Sequence, residues 1–258
     1  MINLNNVLKE FKKYLEDYDL NDSKIKLKVV HTYGVMKLSE YNTQDLNLNE
    51  ENVKLAQLIA ILHDIARFEQ LKQYGIYEDY KTFDHGDLAI KILFDNKLIR
   101  NFIQENKYDN IILKAIKNHN KLQIENGLNN LELLHSKIIR DADKTDNFRV
   151  ALEEPFDAIL NSTREILEND TITDKIYNDF MNEKIIINNE KITDMDNWLS
   201  GIAFIFDYNF SSGLKYLKEK DYINRVIDRV NYKDKETKER MQKVKKFANE
   251  YINKKINN

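Results

Sequence analysis

His63 and Asp64 stand side by side in the stretch Leu62-His63-Asp64-Ile65-Ala66-Arg67-Phe68-Glu69-Gln70. Further histidines lie on either side, at His31, His85 and His119, and the tetrapeptide Asp141-Ala142-Asp143-Lys144 follows. Four of the chain's five histidines are thus placed where they could converge on one spot, with carboxylates between them. Imidazole and carboxylate together are the donor set of a divalent metal site. The chain has no cysteine, which excludes a disulfide framework, a thiolate site and a cysteine nucleophile.

Such residues must be positioned by something, and the composition says by helices. Only one proline and six glycines occur in 258 residues, too few for the turns of a sandwich or barrel. The periodicity predicts helices over about 5–18, 21–41, 49–66, 85–97, 99–105, 108–120 and 130–147. It predicts further helices over about 156–168, 172–182, 194–210, 212–219, 221–231 and 235–255. Asp22, Asn49 and Asp84 read as helix caps. A loop carrying Tyr74-Gly75-Ile76-Tyr77 separates the third and fourth helices and is a candidate for substrate contact. The β-branched stretch 184–188 could be extended.

Positions three, four and seven apart share a helix face. His31 shares one with Leu27, Val30, Gly34 and Leu38; His63 with Ala56, Ile59 and Ala60. His85 falls with Leu88, Ala89 and Ile92, His119 with Ile112, Ala115 and Ile116, and Asp143 four after Ile139. Any one such histidine reads most simply as a satisfied core residue. The carboxylates count against that, because a buried aspartate is costly without a cation or hydrogen bonds. An aspartate between two ions can bridge them, having two oxygens.

The remaining bounds are broad. A chain of 258 residues that is 42% hydrophobic can bury a substantial core. The expectation is a single all-α domain over 1–258, with a metal-binding core at about 22–150 and a helical extension over 151–258. A net charge of −3 and a pI near 6.0 give no electrostatic case for a nucleic-acid partner. No apolar run reaches the length of a membrane helix, and the first residues lack a signal-peptide pattern, so the expected location is cytoplasmic. The charge run at 235–246 reads as a solvated helix face. Oligomeric state is not legible.

The order His31, His63-Asp64 and an aspartate of the 141–143 motif resembles the HD-domain superfamily of metal-dependent phosphohydrolases. The resemblance covers about residues 22–150. It implies an all-α helical bundle, here with additional C-terminal helices. The superfamily's last aspartate sits in an Ala-Asp-Lys/Arg context, which selects Asp143 over Asp141. Binuclear members add two histidines between the doublet and that aspartate, matched here by His85 in Asp84-His85-Gly86 and by His119 in Asn118-His119-Asn120-Lys121. There is one departure. Some mononuclear nucleotidases of the superfamily carry a glutamate three residues after the doublet aspartate, where this chain has Arg67.

The resemblance implies a first metal held by His31, His63, Asp64 and Asp143, and a second held by Asp64, His85 and His119. Two divalent transition metals are expected, iron or manganese first, with cobalt, nickel or zinc also suited to the donor set. Asp64 would bridge, a bridging water would be acidified and attack phosphorus, and Arg67 and Lys144 would clamp phosphate oxygens, with Lys121 as a weaker third. Asp141 and Asp146 would orient ligand imidazoles. His135 is left out as a core or surface residue. The substrate expected is a small phosphorylated molecule, a mono- or diester of a nucleotide or related metabolite. Two alternatives stay open: a di-iron oxygenase of the same superfamily, and a non-catalytic ligand-binding domain.

Overall fold

The computed structural model describes residues 2–160 and 162–257. It is helical throughout, with no strand among the described residues. The chain forms two compact units, residues 1–143 and 144–258. The boundary falls inside one long helix, seven residues before the expected end of the metal-binding core.

The first unit comprises α1 (Leu4–Leu15), α2 (Ser23–Asp45), α3 (Glu50–Leu62), α4 (Ile65–Tyr74), α5 (His85–Ile90), α6 (Ile99–Phe102), α7 (Asp109–Asn118) and the first part of α8 (Asn130–Glu153). The expected caps are in place. Asp22 accepts from the backbone of Lys24 and Ile25, Asn49 from Asn52, and Asp84 from Asp87, so each satisfies amides left over at a helix start. Every residue of α3 from Leu55 to Leu62 is buried, the pattern of a helix surrounded on all sides. α3 therefore ends in the middle of the core and delivers His63 there. Phe11 of α1 seals one flank, packing edge-on against Tyr33 and Phe68 with ring centroids 5.9 Å from each.

Two expectations about these helices are corrected. The doublet does not lie inside one helix: Asp64 has φ −104° and ψ 16°, outside helical backbone, and separates α3 from α4. The inward face of α2 does not include Val30, which is 40% exposed; His31 is buried with Leu27, Val35 and Leu38 instead. Gly75 ends α4 at φ 68°, a left-handed conformation that glycine adopts without strain.

The second unit comprises the end of α8, then α9 (Phe156–Leu160), α10 (Arg164–Asn169), α11 (Asp174–Met181), α12 (Asp194–Ile202), α13 (Ser211–Glu219), α14 (Tyr222–Asp228) and α15 (Lys235–Asn257). Its own core gathers Phe180, Trp198, Leu199, Leu217 and Val226. α15 buries Thr237, Met241, Val244, Ala248, Tyr251 and Ile252, spaced three and four apart, and turns the charge run at 235–246 to solvent. Thr193 and Asp196 form a reciprocal capping box at the start of α12. Arg229 donates to the carbonyls of Ala151 and Glu154 at the end of α8. The expected helix over 156–168 is split into α9 and α10, and the stretch 184–188 forms no strand. No helix among the described residues is long and apolar enough to cross a membrane.

Candidate metal centre

His63 follows the last residue of α3. Its Nδ1 lies 2.7 Å from the carbonyl of Ala60. His119 follows the last residue of α7 and repeats the device, with Nδ1 2.6 Å from the carbonyl of Ile116. A carbonyl only accepts, so each Nδ1 carries a proton, which in the neutral ring leaves Nε2 bare. Helix ends leave carbonyls short of backbone donors, and each ring takes up one of them, at Ile116 beside a long 3.4 Å bond from the His119 amide. Helix termination thus fixes tautomer and ring orientation in one step.

His85 opens α5 and is fixed from its other side. Its Nδ1 lies 2.6 Å from Asp79 Oδ2, and a carboxylate also only accepts, so Nε2 is again the bare nitrogen. Asp79 belongs to the tyrosine-rich loop. Its Oδ1 accepts from Arg67 Nη1 at 2.7 Å and Gln70 Nε2 at 3.2 Å, and its Oδ2 also from Asn120 Nδ2 at 3.3 Å. Burial alone would raise the Asp79 pKa, but the hydrogen bond and charge of His85 and the Arg67 guanidinium outweigh it and hold the carboxyl well below its usual range. Gly86 lets this network close, because a Cβ there would stand 2.6 Å from Asn120 Oδ1.

These nitrogens meet on Asp64, and they divide its two oxygens between them. Oδ2 lies 3.8 Å from His31 Nε2 and 3.6 Å from His63 Nε2. Oδ1 lies 3.4 Å from His85 Nε2 and 3.6 Å from His119 Nε2. His31, His63 and Asp64 offer ligand atoms all within 4.8 Å of one another, and so do Asp64, His85 and His119. All five residues are buried. Asp143, brought by α8, sets Oδ1 3.0 Å from His31 Nε2, a contact satisfied by a proton or a cation between the two atoms.

The electrostatics fit a bound cation. His63 Nε2 is buried with no hydrogen-bond partner, a costly state for a polar atom. Burial pushes the pKa values of His63 and His85 down to about 4, so both rings are neutral near pH 7 and able to ligate. The Asp64 carboxyl is held well below its usual range: burial works against this, and Lys28 and the surrounding histidines prevail. Asp143 is held low in the same way, with His31 overcoming burial. The result is a set of bare nitrogens around ionised carboxylates.

Residues 29–147 match the family model of the HD domain. No curated protein and no solved structure gives a match. The HD domain is all-α, its superfamily is one of metal-dependent phosphohydrolases, and HD domains bind divalent metals. The matched stretch contains His31, the doublet, His85, His119 and Asp143.

Sequence reasoning missed several residues that build this site. Lys28 sets its ammonium 2.7 Å from Asp64 Oδ2; its position three before His31 placed it on the same helix face. Asp79 sits in a loop without periodicity. Arg140 is buried and donates to the carbonyls of Asn118 at 3.0 Å, His119 at 3.5 Å and Leu122 at 3.4 Å, and also to that of Lys121, stapling the turn that carries His119.

The expected phosphate clamps are placed as follows. Arg67 directs Nη1 to Gln70, to the carbonyl of Tyr77 and to Asp79, while its Nε is buried without a hydrogen-bond partner and lies 3.7 Å from Asp64 Oδ1. Lys144 Nζ lies 2.6 Å from the Asp207 carboxylate and 2.9 Å from its carbonyl, so a phosphate there would have to displace both. Lys121 is paired with Asp84 and Asp87. Asp146 is paired bidentately with Arg149. His135 lies about 12 Å along α8 from Asp143, buried, with Nε2 3.0 Å from Asn52 Oδ1.

Proposed function

We propose that this chain is a metal-dependent phosphohydrolase that cleaves a phosphate mono- or diester of a small molecule, a nucleotide or related metabolite. The observation that carries this reading is the division of Asp64 between two histidine groups, one on each oxygen. His31, His63, Asp64 and Asp143 would hold one divalent cation, and Asp64, His85 and His119 a second. When bound, such a pair supplies charge neutralisation for phosphate oxygens and a water acidic enough to attack at neutral pH.

The chain's own residues do the rest. The Nδ1 anchors of His63, His85 and His119 keep the Nε2 lone pairs aimed at Asp64, so the donors need no reorganisation when a cation arrives. Arg67 holds the 77–79 loop against α4 and keeps Nε directed toward Asp64, from where it can meet a phosphate oxygen. Iron and manganese suit the mixed nitrogen and oxygen donors. With an acidic chain overall, the reading gives no role to nucleic acid.

The test is metal analysis of the purified protein joined to a phosphate-release screen over nucleotides, cyclic nucleotides and dinucleotides, with manganese and with reduced iron, in the absence of oxygen. The reading expects anaerobic phosphate release from at least one class and its loss in Asp64→Asn. Release that persists undiminished in Asp64→Asn would overturn it.

A further inference from the structure

Two fixed cations flank Asp64. Lys28 Nζ lies 2.7 Å from Oδ2, and Arg67 Nε lies 3.7 Å from Oδ1. Both also face one aromatic ring: Tyr77 has its centroid 5.2 Å from Lys28 Nζ and 5.9 Å from Arg67 Cζ. The ring is held at both ends. Its hydroxyl donates to the carbonyl of Lys24 at 2.7 Å, and its own backbone carbonyl accepts from Arg67 Nη1 at 2.5 Å. The side chains of Lys28 and Arg67 are 13% and 14% exposed, which places them at the edge of the buried histidine cluster rather than within it. Arg67 Nε is a buried donor still lacking an acceptor.

We infer that Lys28 and Arg67, spaced by the Tyr77 ring, form a clamp for the dianionic phosphoryl group of a phosphate monoester. Asp64 balances Lys28 while its carboxylate is otherwise unspent. Once both Asp64 oxygens serve divalent cations, Lys28 loses its counter-charge, Arg67 keeps its pair with Asp79 but still holds an unpartnered Nε, and the rim of the site becomes strongly positive. A group bearing two negative charges and several acceptor oxygens matches that rim; a diester, with one charge, matches it less well. The lysine supplies a compact point charge and the arginine a planar donor, with the aromatic face holding both cations when no anion is present.

The clamp deepens the hydrolase reading by choosing monoester over diester, and its place in a reaction rests on that reading; the binding itself can be measured without turnover. The experiment is calorimetric titration of the metal-loaded full chain with inorganic phosphate and with dimethyl phosphate, in wild type, Lys28→Met and Lys28→Arg, with metal content measured on each. Wild type is expected to bind phosphate about tenfold or more tightly than dimethyl phosphate. Lys28→Met is expected to weaken phosphate by about tenfold, the loss of one charge-assisted contact. Lys28→Arg is expected to restore most of it, and metal content to stay at the wild-type level in both variants. The inference is overturned if wild type does not bind phosphate or does not prefer it, if Lys28→Met binds phosphate like wild type, or if that variant loses metal in step with phosphate. Intact, Lys28-dependent phosphate binding with no phosphate release from any ester would count against the hydrolase reading alone. Phosphate release with binding indifferent to Lys28 would count against the clamp alone.

Discussion

His85 Nε2 lies 2.9 Å from His119 Nε2, although in the neutral rings neither nitrogen carries a proton to offer the other. Asp79 holds the proton of His85 on Nδ1, and the carbonyl of Ile116 holds that of His119. Two lone pairs are thus pressed together beside an ionised carboxylate, which repels both. A cation on the Asp64 Oδ1 side turns each of these repulsions into an attraction.

Asp79 is therefore expected to matter as much as a ligand for one half of the site. Asp79→Asn removes the charge that keeps His85 in its ligating tautomer. It should weaken the second-bound metal by about 10–100-fold while leaving the first within a small factor. A two-site calorimetric titration separates the two steps. Equal weakening of both steps, or of neither, would contradict the division of labour.

Arg140 tests how the His119 turn is held. Replacing it by Met leaves the carbonyls of Asn118, His119, Lys121 and Leu122 short of a donor. The expected loss of stability is about 2–4 kcal/mol, read from urea unfolding at pH 7. The stapling account fails if unfolding is unchanged.

His135 gives a pH signature outside the metal site. Burial lowers its pKa to about 4, against about 6.5 for an unfolded histidine. As pH falls below about 6.5 the unfolded chain takes up a proton that the folded chain refuses until about pH 4, so stability is full above this window and drains away across it. The shift corresponds to about 3 kcal/mol. His135→Gln should remove that part of the decline between pH 6.5 and 4, measured as the difference in urea midpoints between variant and wild type. Parallel curves would show that the ring is not the group responsible.

How much of this was readable from the chain alone varies with the physics. The all-α class and the burial of His31, His63, His85 and His119 follow from helical periodicity and from scarce glycine and proline, which are local signals. The HD resemblance picked out the five residues of the two clusters, and Asp143 besides, which belongs to neither cluster. The break at Asp64 was not visible, because the apolar residues on both sides of the doublet read as one helix and only tertiary packing turns the chain there. Asp79 and Arg140 were invisible for a different reason. A loop carboxylate has no period, and a buried guanidinium satisfied by carbonyls shows its role only when the turn it holds is folded. Lys28 carries no local signal beyond its place three residues before His31, because its contact with Asp64 spans 36 positions.

The central claim is that one carboxylate joins two cation sites. The most direct measurement is electron paramagnetic resonance of the manganese-titrated protein, wild type against Asp64→Asn. The account predicts two manganese ions per chain with the exchange-coupled signal of a pair sharing a ligand, and loss of that signal in Asp64→Asn with far-ultraviolet circular dichroism unchanged. Two uncoupled ions, a single ion, or a coupled pair that survives Asp64→Asn would contradict it.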